Sequence, residues 1–150
     1  MSEPAMSLFQ AFLREGYVSG VGHPRALGFE FVTLEEGRGV LKLPYRDDLA
    51  GDAATGVIAG GVVTAMLDHV GGLAVLSALK APGFTATHDL RIDYQRPAEP
   101  GRDLYAEAHC YKLTRTIAFV RAHAYEDDPG RPVATAQATF VVTGLDGIAV

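Results

Sequence analysis

The feature that most constrains this sequence is a run of about twenty residues, Gly60 to Lys80, that is apolar on almost every side of a helix. Its large side chains cover the whole circumference: Val62, Val63, Met66, Leu67, Val70, Leu73, Val75, Leu76 and Leu79. Such a helix is stable only when other elements surround it. Because Pro82 and Gly83 follow, we expect it to end near Lys80. The rest of the chain must wrap around this segment.

The segments on either side supply the wrapping. Apolar spacing predicts a short helix at 7–15, then a hairpin of strands at 29–33 and 39–44, and a polar loop at 45–56. Four strand-like runs follow the long helix: 85–96, 104–113, 116–126 and 133–143. Their connectors are short and rich in turn formers, so we expect consecutive strands to pair as an antiparallel meander.

Alanines recur on one face of three strands, and two glycines interrupt the helix. The alanines are Ala106, Ala108, Ala118, Ala122, Ala124, Ala134, Ala136 and Ala138. Alanine is a poor strand former, and Gly71 and Gly72 each cost about 1 kcal/mol relative to Ala in a helix. Composition bias is one explanation. Recurrence on the same face favours the other, close packing of the helix on a curved sheet.

Composition limits the class of protein. A chain of 150 residues suits one domain, 1–150, with one core. Its net charge of −5 gives no general attraction to nucleic acid, and no charge-free run of eighteen apolar residues predicts a membrane span. The N-terminal residues lack the pattern of a secretion signal. With Cys110 as the single cysteine, a disulfide framework is excluded, and we expect a cytoplasmic protein.

Asp68 is the only acid in the long helix. A buried carboxylate without a partner costs several kcal/mol or changes its pKa. Asp68 shares a helical stripe with Gly61, Thr64, Gly71 and Gly72, which have little bulk and leave room for a ligand. The alternative is a structural acid that bonds a neighbouring strand or subunit, and Asp68 alone does not decide between them.

Glycines at positions 56, 60 and 61 mark the start of the helix. The first backbone N–H groups of a helix lack partners and lie at its positive end, where they can hold a carbonyl oxygen that gains charge. Taken alone, these glycines indicate only a tight turn. Together with Asp68 two turns later, they favour a site in which the carboxylate acts as a base toward water or as a nucleophile.

Other catalytic motifs are missing from the sequence. There is no G-x-S-x-G elbow and no phosphate-binding loop. The histidines show no metal-ligand spacing, so neither a metal nor another cofactor is expected: His23, His69, His88, His109 and His123. His69 points about 100° away from Asp68 on a helix, which predicts packing or an interface contact.

The segment GVIAGGVVTAMLDHVGGLA (56–74) resembles the signature of the PaaI-type hotdog-fold acyl-CoA thioesterases. Their helix opens with two glycines and carries an acid eight residues after the first, the spacing of Gly60 and Asp68. Residues 87–101 and 112–126 resemble the later strands, and the resemblance covers about 29–143. It implies an α+β hotdog fold, in which a curved antiparallel sheet wraps around one long central helix.

The resemblance also implies hydrolysis of an acyl-CoA thioester to free acid and CoA by a homodimer or homotetramer. The Gly60 N–H would polarise the carbonyl, Asp68 of the other subunit would activate water or attack, and Thr87 would orient the water. Gly61 and Thr64 would line the substrate site beside them. CoA belongs to the substrate, so no separate cofactor is implied.

Two departures keep a second function open. Ala59 replaces the family's usual His, and Ala53 lies near where some members have an Asn. Neither alanine side chain can form a hydrogen bond, which favours an acyl-CoA-binding module without hydrolysis as the alternative. Lys112 and Arg115, at a predicted turn, are our candidates for contacts to the CoA phosphates; the alternative is a solvated turn.

Overall fold

The structure, a computed structural model, describes residues 3–20 and 22–144. Its elements are α1 (Glu3–Glu15), α2 (Gly22–Leu27), β1 (Glu30–Glu35), β2 (Arg38–Leu43), α3 (Gly60–Ala78), β3 (Gly83–Tyr94), β4 (Leu104–Leu113), β5 (Ile117–Tyr125) and β6 (Ala134–Gly144). The strands form one antiparallel sheet in the order β1-β2-β4-β5-β6-β3. Every strand contacts α3. This is the hotdog fold that the resemblance implied.

The long helix lies where its composition predicted, in the core. The alanines on the inner faces of β4, β5 and β6 are all buried. A Cβ on Gly71 would lie 2.8 Å from Cζ of Phe140, and one on Gly72 would lie 2.4 Å from the Tyr17 hydroxyl. The packing explanation for the alanines and glycines is therefore confirmed. By length and composition α3 also qualifies as a membrane span, but 56% of its apolar window is buried inside the protein.

The N-terminal prediction was incomplete. The first helix begins at Glu3 rather than Ser7, because Pro4 fits the first turn of a helix, where its missing N–H is not needed. The helix α2 was not predicted, since its six residues carry no apolar period. It ends at Leu27, and the next residue, Gly28, has a φ of +82°, which favours glycine. A 3₁₀ turn at Asp47–Leu49 interrupts the predicted loop 45–56.

The meander prediction was wrong for β3. That strand pairs with β6, while β2 takes the place beside β4. The start of β4 is tied to β2 because the Asp103 carboxylate accepts the Tyr45 N–H at 2.8 Å and lies 3.1 Å from the Lys42 ammonium. Hence β3 forms an edge of the sheet, and its outer side has no partner strand within the described ranges.

A β-bulge at His88 shifts the register of β3. Thr87 lies opposite Phe140, but Asp89 lies opposite Thr139, so His88 is the extra residue. Side chains alternate along a strand, and residues seven apart would otherwise point to opposite faces. With the bulge, both Thr87 and Tyr94 lie on the inner face of the sheet. Both hydroxyls can therefore reach α3.

Candidate active site

The carboxylate of Asp68 is half-buried on the side of α3 that faces β3. The Thr87 hydroxyl donates a hydrogen bond of 2.5 Å to Asp68 Oδ1. Among the described residues no cation lies within salt-bridge distance of this carboxylate. One neutral donor leaves most of its lone pairs free to accept a proton or to bind a reactant.

A cleft of about 290 Å³ opens beside Asp68. It brings together four of the residues predicted from the sequence: Gly61, Thr64, Asp68 and Thr87. A Cβ on Gly61 would meet nothing within 4 Å, so the helix surface is open there. The remaining lining comes from helix α2, the connection from α2 to β1, β3 and the rest of α3: His23, Pro24, Phe29, Ala65, His69 and Leu90. The contribution of α2 had no signal in the sequence.

The start of α3 leaves backbone donors free. The N–H groups of Val62 and Val63 both bond to the Ala59 carbonyl, at 3.0 and 3.4 Å. Gly60 and Gly61 have no acceptor for their N–H groups within the described part of the chain, and Ala59 forms no side-chain cap. These two donors lie at the positive end of the helix dipole and are suited to bind a developing oxyanion.

Gly56 has a different role, because it forms the turn into the helix. Its φ of +70° is in the left-handed region that favours glycine, and the Tyr45 hydroxyl donates to its carbonyl at 2.8 Å. The turn that the sequence indicated at this glycine is therefore present.

Tyr94 is a site residue that the sequence analysis missed. Its hydroxyl donates to the Gly60 carbonyl at 2.7 Å and lies 2.5 Å from Thr64 Oγ1. Thr64 also donates to the Gly60 carbonyl, at 3.1 Å. Thr64 is thereby tied to Gly60, one turn away from Asp68. The only signal in the sequence was the two-residue spacing of Tyr94 with Ile92 and Leu90 on the inner face.

His69 is a packing residue, as predicted. Its ring stacks on Tyr17 with centroids 4.3 Å apart, and its Nε2 lies 2.8 Å from the Tyr17 carbonyl oxygen. Burial lowers the pKa of His69, while burial and then the charge of Asp68 raise the pKa of the Tyr17 phenol. Tyr17 fills the space beside Gly72, and Phe140 fills the space beside Gly71. The open part of the predicted stripe is therefore limited to its Gly61 end.

The comparison with known proteins decides the family. The sequence profile of the thioesterase superfamily matches residues 55–133, just over half of the chain. This chain belongs to the thioesterase superfamily. Within it, the chain is a PaaI-type hotdog thioesterase: the phenylacetic acid degradation protein PaaI of Thermus thermophilus is 28% identical, with a TM-score of 0.67, over 78% of this chain and 95% of that one.

Two further proteins are similar over most of their length. A medium/long-chain acyl-CoA thioesterase of Salmonella typhimurium is 26% identical over 141 residues, which are 85% of this chain and 90% of the relative. A protein of known structure from Pseudomonas aeruginosa is 35% identical with a TM-score of 0.78, over 89% of this chain and 98% of that one. The matched residues 55–133 include the glycines that start α3 as well as Asp68 and Thr87.

Within one chain of this thioesterase the donors and the acid are too far apart for one reaction. Eight residues of helix separate Gly60 from Asp68, a rise of about 12 Å. Groups that act on the same carbonyl must each approach it to about 3 Å. The Gly60 N–H and the Asp68 carboxylate of one chain therefore do not reach the same carbonyl group.

Gly60 does not line the Asp68 cleft but a neighbouring one with Tyr94. Three further predicted positions also lie outside the Asp68 cleft. Lys112 and Arg115 are exposed at the β4–β5 turn, and the Lys112 ammonium lies 5.6 Å from the centre of the Phe119 ring. Ala53 lies in an exposed turn before α3. The thiol of Cys110 is buried, which raises its pKa, and the described residues contain no group of three His, Cys, Asp or Glu side chains able to hold a metal.

Proposed function

We propose that this thioesterase hydrolyses an acyl-CoA thioester to the free acid and CoA, with Asp68 as the base or nucleophile. The observation that carries the proposal is a half-buried carboxylate that receives one neutral hydrogen bond beside an open cleft. Membership of the family and the similarity to an acyl-CoA thioesterase support the substrate class.

As a base, Asp68 would accept a proton from a water molecule that the Thr87 hydroxyl helps to place. The water oxygen attacks the carbonyl carbon, and the oxyanion that forms is stabilised by the Gly60 N–H and the helix dipole. The carbon–sulfur bond then breaks, and the CoA thiolate takes the proton. As a nucleophile, Asp68 would attack the thioester carbon, and the carbon–sulfur bond would break to release the CoA thiolate and leave an anhydride. Water would then cleave the anhydride to the free acid and the Asp68 carboxylate, and the thiolate would take the proton that this step releases.

In this proposal the complete site lies between two chains. β3 is a twelve-residue edge strand with exposed backbone, and Phe84 on it is 60% exposed. Such an edge is a template for pairing with a second copy. Pairing along β3 would bring the Gly60 N–H of one chain toward Asp68 of the other. Lys112 and Arg115 remain our proposed contacts for the CoA phosphates.

The test of the acid is Asp68→Asn, which keeps the shape of the side chain. We expect kcat to fall by about 10²- to 10⁴-fold, the usual contribution of a general base. Thiol release from a panel of short, long and aryl acyl-CoAs measures it. Asp89→Asn, which changes an exposed acid on β3, is the matched control. Near-normal hydrolysis by a folded Asp68→Asn protein would contradict the mechanism.

The test of the shared site mixes two inactive variants. Asp68→Asn removes the acid, and Gly60→Val blocks the approach to the donors. Each alone should be inactive, but a hybrid dimer contains one intact site, so the mixture after co-refolding should regain part of the activity. Equilibrium sedimentation that shows only monomers at the assay concentration would rule this arrangement out.

The second candidate function is binding of acyl-CoA without hydrolysis. It is favoured by Ala59, which supplies no side-chain donor and no helix cap at the carbonyl position. This function predicts saturable binding of acyl-CoA by calorimetry without thiol release from any member of the panel. Hydrolysis that depends on Asp68 excludes it.

A further inference from the structure

The outer face of the sheet, opposite the face that contacts α3, carries a row of polar side chains, three of which are arginines. The strand register places one residue from each of five strands in this row: Arg38 on β2, His109 on β4, Arg121 on β5, Gln137 on β6 and Arg91 on β3. All five are exposed or half-exposed. We call them the outer row.

A cleft of about 660 Å³ lies over the outer row. It is also lined by Ala108, Ala122 and Ala136 and, from the β5–β6 loop, by Pro129 and Pro132. Four polar residues from the next row complete it: Asp93, Glu107, His123 and Thr135. None of these residues lines the cleft at Asp68.

The positive charges of the outer row are only partly balanced. Arg91 lies 3.3 Å from Asp93. The Glu107 carboxylate lies 4.0 Å from His123 Nε2 and is not paired with an arginine of the outer row. Within the described part of the chain, Arg38 and Arg121 have no carboxylate at salt-bridge distance. Two guanidinium groups without a carboxylate partner on one face of the sheet favour the binding of an anion.

One cation of the row is held in place. The Arg121 guanidinium lies 4.3 Å from the centre of the Tyr111 ring, a cation–π contact that orients it over the outer face. His109, between Arg38 and Arg121, has its pKa lowered by burial and then by these two charges. The local field is therefore positive, in a protein whose net charge is −5.

We propose that the outer row binds a nucleotide-type ligand through two phosphate groups. Guanidinium forks match phosphate oxygens, and strands about 4.8 Å apart place Arg38 and Arg121 about 10 Å apart, within the reach of two long side chains to one diphosphate. Arg38 and Arg121 both line this cleft, so a small anion with two phosphate groups can bind to both guanidinium groups.

Calorimetric titration of the full chain with pyrophosphate and with ADP tests the site. We expect the wild type to bind both, and the double variant Arg38→Gln, Arg121→Gln to bind at least about tenfold more weakly, since each charge-assisted bond contributes substantially. Arg14→Gln, an exposed arginine on α1, is the matched control and should bind like the wild type. Absence of binding by the wild type, or equal binding by the double variant, overturns the proposal.

Two sources of the nucleotide are separated by repeating the ADP titration with saturating CoA. If the row holds the nucleotide end of CoA, CoA blocks the titration; if it holds a free nucleotide, ADP still binds. Both results keep the site and name its ligand. A wild type that binds neither anion, together with a double variant that sediments as a smaller assembly, assigns the face to contacts between copies and overturns the proposal. None of these readouts depends on hydrolysis at Asp68.

Discussion

Asp68 and Glu126 are two carboxylates in regions of opposite character. Glu126 is 5% exposed and lies close to Arg96 and Glu99, which follow the end of β3. Its carboxylate accepts hydrogen bonds from both terminal nitrogens of Arg96 and from the Glu99 N–H. The Arg96 bonds are the main reason that the pKa of Glu126 falls to about 2. Asp68 receives one hydroxyl bond beside an open cleft. Glu126 is saturated with donors and holds the fold, whereas Asp68 keeps free lone pairs, which the proposed function uses.

The largest effect should separate the two acids by stability. Glu126→Gln leaves the Arg96 guanidinium, which is three-quarters buried, without its counter-charge, and we expect the free energy of unfolding to fall by about 3 kcal/mol. Asp68→Asn should change it by less than about 1 kcal/mol, because only one bond of a partly exposed group is altered. Urea unfolding of both variants measures this. Equal losses would break the distinction.

A change of pH should reveal the same difference. The pKa of Glu126 is lowered from 4.5 to about 2, so its contribution to stability is fully present above pH 4.5 and is lost as pH falls from 4.5 toward 2. The loss amounts to about 3 kcal/mol. Unfolding curves across this range should show it in the wild type. The Glu126→Gln variant serves as the control, and a wild-type curve parallel to it would contradict the assignment.

The sequence predicted the features that follow from the distribution of apolar and charged residues along the long helix. An all-round apolar segment required a surrounding sheet, and Asp68 within it was conspicuous as the one acid. The position of β3 at the edge of the sheet was not predictable in this way. Short connectors favour pairing between consecutive strands, and the bonds between Asp103 and the end of β2 join residues that are far apart in the sequence. The bulge at His88 has no local signal either. Without it, the approach of Thr87 and Tyr94 to the same helix could not be foreseen.

The two glycine pairs of α3 repeat the contrast between closed and open regions. Gly71 and Gly72 are needed because Phe140 and Tyr17 occupy the space that a Cβ would take. At Gly61 the same atom would enter empty space, and at Gly60 it would lie 3.6 Å from the Tyr94 ring, an ordinary contact. In sequence the two pairs look alike. Only packing distinguishes a glycine that admits a neighbour from one that leaves room for a ligand.

The smallest effects on stability should come from these glycines, and their signs should differ. Gly71→Ala gains about 1 kcal/mol of helix propensity, but its Cβ meets the buried Phe140 ring at 2.8 Å, and overpacking costs about 1–3 kcal/mol. We therefore expect a net loss of about 1 kcal/mol with little change in kcat/KM.

Gly61→Ala meets no atom within 4 Å, so it should keep stability or raise it by less than about 1 kcal/mol. Its methyl group would project into the cleft beside Asp68, where a substrate needs close access to the helix backbone, and kcat/KM should fall several-fold. Thermal unfolding and thiol-release assays on both variants check the pair. A Gly61→Ala protein that is as active as the wild type would show that the open space at the start of α3 is not used by the substrate.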